Sequence, residues 1–464
     1  MNLVLGIDLA CRAAHQGSLA RADGTFVWSG RRFFTTPKDL RRIWSAIPLT
    51  EDSTLTVVME PTRNAWAPVA AWFRRRGARI VMVPTTQSAD LRAYYSKHTK
   101  NDQLDSKLLA RLPLLHPEGL REQTGNGPAD SLRRAVKVRS SLVKRRTAVF
   151  ARLDALLEML GPAWYDALGS RYGTATLALL TRYADPNALL RLGSARLAKF
   201  LARYSRGQWG QAKATELLAA ARESLELWEG EGIDFDELAA DIAVEAEQAQ
   251  VLTGQVDELD ERIATLYEQV DPKGIVASAP GVGPVLSAAI AGRIGDPHRF
   301  TSLAAIRAYS GLVPKTSQSG LSNNQHGLTK AGDSLLRESL FNAADSARKV
   351  DPRLAARYAR LIDSGKHHNS ALCHVATELL TRIASSWRSD TLYQITELDG
   401  TPLTADEGRR IVSTRHRPTT KTTNAPATRQ SKKLKGRAGR EQQESPSAPA
   451  SRPAPTTIEP ITAA

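Results

Sequence analysis

LVLGIDLA, residues 3–10, is the stretch on which the fold turns: a short apolar run that ends on an acid, Asp8. Its length suits a buried strand, and the polar residues after it suit a turn. Working outward, HQGSLARADGTFVWSGRRFF (15–34) reads as a hairpin with Asp23-Gly24 at the turn. Pro37 opens a helix in PKDLRRIWSAI, where its missing N–H costs nothing. LTVVME (55–60) is a second buried strand and ends on Glu60. A helix over roughly 65–76 is stopped by Gly77, and RIVMVP (79–84) is a third strand halted by Pro84. A hairpin followed by strands alternating with helices indicates an α/β domain with a mixed sheet and flanking helices.

Beyond this domain the pattern becomes helical. Residues 131–160 are helical and basic, and 161–235 are helical but interrupted by Gly and Pro. Leu252, Val256, Leu259, Ile263, Leu266 and Val270 are spaced 4, 3, 4, 3, 4. That seam suits a coiled-coil-like hairpin or a dimer contact, and equally an amphipathic helix packed within its own domain. Residues 272–390 form a mostly helical segment with a Gly/Ser/Asn-rich insert at 316–333. After about Ala405, Thr, Pro, Ser, Ala and basic residues dominate, as in a disordered basic tail. The expected divisions are 1–125, 126–271, 272–395 and 405–464.

Composition excludes several classes. The 464 residues carry 63 Lys+Arg against 48 Asp+Glu, a net charge of +15, with a pI near 9.9. No run approaches the ~20 apolar residues of a membrane span. MNLVLGID lacks the basic and apolar regions of a signal peptide, so a cytoplasmic, nucleoid-associated protein is expected. Cys11 and Cys373 cannot build a disulfide framework or a tetrahedral thiolate zinc site. The positive excess suggests a polyanionic partner. From Ser413 onward there are 10 Lys+Arg and 3 Asp+Glu, so 7 of the 15 excess charges sit in the tail. Such charge runs are often only solvated chain.

Four acids stand out. Asp8 and Glu60 end strands, where reactive groups collect in open α/β sheets. Asp102 and Asp105, in KNDQLDSKLLARL (100–112), lie one helical turn apart on one face. Together they could surround hard divalent cations such as Mg²⁺, which stabilise the oxygens of a phosphoryl transfer. Taken singly, each has a plainer explanation: a turn former after a strand, or a first-turn acid favoured by the helix dipole. IVASAPGVGP (275–284) places Gly281 and Gly283 before a helix, as in a helix-hairpin-helix that grips a DNA backbone, though glycine-rich turns are common. In YSGLVPKTSQSGLSNNQHGLTKAGDSLLRESLFNAA (309–344), Ser319, Lys315 and Lys330 sit among glycines that could face phosphates. The alternative there is a flexible polar loop. His367 and His368 either touch phosphate or cap the helix after them, and with His374 they lack a convincing third ligand.

These blocks resemble the DEDD-type transposases of bacterial insertion sequences. The resemblance covers roughly residues 1–112 and 272–390 and is carried by six blocks in one order. They are GIDLACRAAH, VVMEPT, KNDQLDSKLLARL, APGVGP, YSGLVPKTSQSG with LTKAGDSLLRESLFNAA, and GKHHNSALCHVATELL. It implies a RuvC-like (RNase H-like) N-terminal domain, a coiled-coil region and a C-terminal serine transposase domain. It implies further that Asp8, Glu60, Asp102 and Asp105 hold Mg²⁺, and that Ser319 attacks DNA to form a covalent phosphoserine link. The partners it implies are donor and target DNA, a bridge RNA that guides site choice, and further copies of the chain in a dimer or tetramer. Cys11, Arg12, Arg63 and Asn101 stand where the family commonly has other residues, but no carboxylate is lost. Two rival readings stay open. One is a metal-dependent nuclease or junction resolvase that uses water; the other is an inactive nucleic-acid-binding protein.

Overall fold

The computed structural model describes residues 2–84, 87–88, 102–115, 120–123, 125, 127–169, 172–319 and 322–419. For Asp102, Gln103, Arg121, Pro128, 315–319 and 322–326 the description covers the backbone alone. The chain divides into two units, Met1–Gly127 and Pro128–Ala464.

The first unit is a six-stranded mixed sheet. β1 (Asn2–Asp8), β2 (His15–Arg21) and β3 (Phe26–Phe33) form an antiparallel meander. β4 (Thr54–Met59) and β5 (Arg79–Met82) add in parallel beside β1, and β6 (Arg121–Glu122) closes antiparallel, giving the order β3-β2-β1-β4-β5-β6. Among the described residues, the helices of this unit include α1 (Pro37–Ser45), α2 (Trp66–Arg74) and α3 (Asp102–Leu115). Thr36 caps α1 through its side chain, and Pro37 sits at the start, as the missing N–H allows. Gly77, after α2, has φ +83°, the left-handed conformation that stops a helix.

Alternation along the strands explains why they read as unbroken apolar runs. Leu3, Leu5 and Ile7 pack with Leu40, Ile43, Val69 and Phe73 from α1 and α2. Val4 packs in the other core with Val58, Val81, Leu109 and Leu112, under α3. Both faces of the central strands are therefore covered, and a period-2 signal disappears. Each fully buried aliphatic side chain here contributes roughly 1.5–3 kcal/mol.

The second unit is built on two long antiparallel helices, α4 (Pro128–Glu158) and α10 (Phe235–Val270). Ion pairs set their register: Arg139 with Asp260, and Arg152 with both oxygens of Glu245 at 2.6 and 2.9 Å. The seam counted from sequence is used inside the chain. Leu252, Val256 and Ile263 are buried, and Leu259, Leu266 and Val270 are packed at its flank. Five helices fill the irregular stretch between the long pair: α5 (Pro162–Leu168), α6 (Thr174–Tyr183), α7 (Pro186–Leu192), α8 (Ser194–Tyr204) and α9 (Gln211–Leu227). Their core holds the fully buried Trp164, whose indole N–H donates to Ser224 at 2.8 Å.

The far ends of α4 and α10 share a second core with the helices that follow: α11 (Pro284–Ile294), α12 (Leu303–Ser310), α13 (Ser334–Ala347), α14 (Pro352–Asp363) and α15 (His368–Arg388). Leu132, Ala135, Val136 and Ile263 lie in it, so no core boundary separates the long helices from residues 272–395. Asp351 anchors this core. It is fully buried, caps α14, pairs with Arg382 at 2.7 Å and accepts the Tyr393 hydroxyl at 2.9 Å. Asp351→Ala should cost about 3–5 kcal/mol, because it strands a partly buried guanidinium. Denaturant unfolding measures this, and a cost below about 1 kcal/mol would mean water takes over the pairing.

Two expectations are corrected. The Gly/Ser/Asn-rich insert is not an irregular loop but a two-stranded ribbon, β7 (Pro314–Ser319) and β8 (Ser322–Leu328). Its residues are polar on both faces, so it lacks the apolar alternation that announces a strand. Residues 405–415 are not tail but α16 (Ala405–Arg415), preceded by the short pair β9 (Ile395–Thr396) and β10 (Pro402–Leu403). Thr404 and Glu407 form a reciprocal capping box at its start. The helix docks through Gly408, where a Cβ would lie 2.2 Å from the Val350 carbonyl oxygen. An approach that close requires the absence of a side chain, so no apolar stripe marks it. The remainder of the tail, 420–464, lies outside the described residues.

Candidate active site

Parallel pairing places two of the four acids together. Ile7 is opposite Met59, so Asp8 and Glu60 follow at the carboxyl ends of neighbouring strands. Alternation from Val4 through Gly6 puts Asp8 on the face that α3 covers, and the step from Val58 to Glu60 does the same. Both carboxylates are half-buried.

The helix that carries the other two acids is seated by a glycine. A Cβ on Gly6 would lie 2.2 Å from the Ser106 carbonyl oxygen and 2.3 Å from the Ala110 nitrogen, so α3 lies directly on β1. Ser106 and Ser18 share a buried hydrogen bond of 2.8 Å, and Ser18 also accepts from the Gly30 N–H. These contacts hold the first half of α3, where Asp105 is buried at 7% exposure. The Asp102 side chain lies outside the described residues. Among the described residues, no group of three or more His, Cys, Asp or Glu is arranged to hold a metal ion. The donor chemistry, carboxylate oxygens only, nonetheless suits a hard cation.

His15 supports the loop after Asp8. Its Nδ1 accepts from the Ala10 N–H at 3.1 Å, so the proton resides on Nε2, which donates to Thr35 Oγ1 at 2.6 Å. Burial lowers its pKa below 6.5. A lowered histidine pKa means the unfolded chain binds the proton first as pH falls. The stabilisation is therefore complete above about pH 6.5 and is lost on acidification below it. His15→Asn should flatten the fall in unfolding free energy on acidification below about pH 6.5; an unchanged profile would remove His15 as its source. Gly6, His15, Ser18 and Ser106 were not read as functional from sequence, although a glycine inside an apolar strand is a sign of close backbone approach.

In the second unit, Ser319 is the last residue of β7 and pairs with Ser322 across the hairpin end. Lys330 is exposed at φ +52°, and Lys315 pairs with His326 along the ribbon. Gly281 packs on α13, where a Cβ would meet the Ala343 oxygen at 2.6 Å. Gly283 is exposed and precedes Pro284 at the start of α11. His367 caps α15 by accepting from the Asn369 N–H, and His368 meets the Tyr358 hydroxyl at 2.7 Å. Burial lowers the pKa of both His368 and His374. No described helix is long and apolar enough to cross a membrane.

Comparison with known proteins matches two stretches of the chain, the first of which runs past Gly127 into α4. A DEDD transposase model matches residues 5–162, and the model of the transposase IS116/IS110/IS902 family matches 273–359. A 43.6 kDa protein of insertion element IS110 from Streptomyces coelicolor is 26% identical over 85% of this chain and 96% of its own length. A 42 kDa protein of insertion element IS900 from Mycobacterium paratuberculosis is 27% identical over 84% of this chain and 96% of its own. A mini-circle putative transposase for IS117, also from S. coelicolor, is 29% identical over 27% of this chain and 31% of its own. The chain belongs to the IS110-type family of DEDD insertion-sequence transposases. It is therefore a DNA transposase, an enzyme whose partner is DNA and whose family implies a divalent metal.

Proposed function

We propose that this transposase cuts and rejoins DNA through a serine ester, with Asp8, Glu60, Asp102 and Asp105 holding Mg²⁺. The observation that carries the acid set is the shared face of Asp8 and Glu60 at adjacent strand ends, beneath the helix that bears Asp102 and Asp105. When bound, the ion supplies positive charge to the scissile phosphate and its leaving oxygen. The rest belongs to the chain. The Ser319 oxygen attacks phosphorus as the bond to one nucleoside oxygen breaks; the serine proton leaves and the freed oxygen is protonated. A hydroxyl of the exchanged strand then attacks the same phosphorus and releases serine. Each step exchanges one phosphorus–oxygen bond for another, so joining needs no external energy.

Gly281, Gly283, Lys315 and Lys330 serve as contacts to the nucleic-acid backbone in this reading. A bridge RNA supplies sequence choice by base pairing, and the active assembly is a dimer or tetramer. The test is a denaturing gel of end-labelled DNA after reaction with Mg²⁺ and the flanking RNA. A labelled band that protease digestion converts to free DNA supports the serine ester. Cut DNA with no such adduct at any time point would replace it with hydrolysis by water.

A further inference from the structure

Where α13, α14 and α16 meet, they enclose an open pocket of 240 Å³. Arg348 and Lys349 reach it from the end of α13, Tyr358 from α14, and Arg409, Ser413 and Arg417 from α16 and the chain after it. Among the described residues, no carboxylate lines it. The acids that pair with its cations are Asp345, with Arg348 and Lys349 at 2.6 and 2.9 Å, and Asp406, with Arg409 at 2.7 Å. Glu397 stands behind His416, 3.6 Å from its ring. Four permanent cations thus line one cavity and, among the described residues, two acids pair with them, an arrangement that favours an anion in their midst.

The pocket is built rather than accidental. Arg348 stacks on Tyr358 at 4.1 Å, which fixes the guanidinium plane. Asp345 takes only Nε and Nη2, so Nη1 keeps its donors. The Gly408 contact seats α16, and the Thr419 N–H donates to Asp363 at 2.9 Å, tying the chain after α16 back to the end of α14. We infer that this pocket binds a phosphodiester of a nucleic-acid strand, at a backbone contact separate from the acids and the serine ribbon. Its chemistry of clustered guanidinium and ammonium groups is that of phosphate positioning. A polymer is favoured over a small anion because the sequence after Thr419 continues the charge, with 8 Lys+Arg against 3 Asp+Glu over 420–464. The inference rests on nucleic acid being the partner, and on neither the metal nor the serine chemistry.

The test uses the full chain in EDTA, with fluorescence anisotropy on a 30-base-pair duplex DNA and on a single-stranded RNA of equal length. Arg409→Glu with Arg417→Glu changes exposed side chains and should weaken binding by about ten-fold or more at moderate salt. The salt slope should fall by about 2, one for each phosphate that is no longer neutralised. A loss confined to one polymer names the source of the phosphodiester; a loss on both makes the site common to them. The control is Arg196→Glu with Arg203→Glu on α8, which makes the same change in net charge. Binding within two-fold of wild type on both polymers, or an equal loss from the control, would overturn the site. Because no cutting is assayed, failure here is distinct from failure of the serine ester.

Discussion

Ser319→Ala is expected to abolish strand transfer, by more than about 10³-fold, while DNA and RNA affinity stay within about two-fold. The size follows from the chemistry. Alanine has no oxygen to carry the phosphoryl group, so the covalent link at this position is lost. The affinity expectation follows from polymer binding, which is spread over many backbone contacts, so one hydroxyl in a ribbon contributes little. Adduct and recombinant product should disappear together. Recombination that persists in the alanine variant would end the serine role. Cutting that persists without joining would mean that water does the work and Ser319 only touches phosphate.

Gly6→Ala is the second large effect, and it tests the seat of α3. The added Cβ would lie 2.2 and 2.3 Å from backbone atoms of Ser106 and Ala110, which cannot rotate away as a side-chain tip could. The helix must shift outward, straining the buried Ser18–Ser106 bond. The cost should reach about 3 kcal/mol, the upper end for overpacking. Activity should drop by about 10²-fold even where the protein remains folded, because a displacement near 1 Å misplaces catalytic groups. Gly254→Ala makes the contrast: nothing lies within 4 Å of its Cβ, and it sits inside α10. That change should stabilise by roughly 0.5–1 kcal/mol through helix propensity alone. Wild-type stability and rate in Gly6→Ala would show that α3 is not held where the site requires it.

Much of this was legible along the chain. The apolar runs read at 3–10 and 55–60 carry Asp8 and Glu60, which the sheet places at adjacent strand ends. The hairpin turned at Asp23-Gly24, and Pro37 opened its helix. These are local matters of turn conformation, a missing N–H and apolar length, and neighbours in sequence decide them. The ribbon around Ser319 was not legible, because a two-stranded ribbon of polar residues carries no apolar period. Nor was α16, with Ile411 and Val412 as its only large apolar residues and a glycine at its closest contact.

By itself the sequence determined the α/β start, which acids stand at its apolar runs and the family resemblance, because apolar runs, their carboxylates and the order of the blocks are linear properties. Only the tertiary structure decided that Asp8 and Glu60 share the face under α3, that Gly6 is bare so that helix can lie on it, and that the 252–270 seam packs inside its own chain. It also decided that residues past 405 fold back to complete a basic pocket. The reason is common to all four. Each depends on which surfaces meet across tens to hundreds of residues, and close packing leaves no trace in composition or period when the contact is made by a glycine or by polar groups.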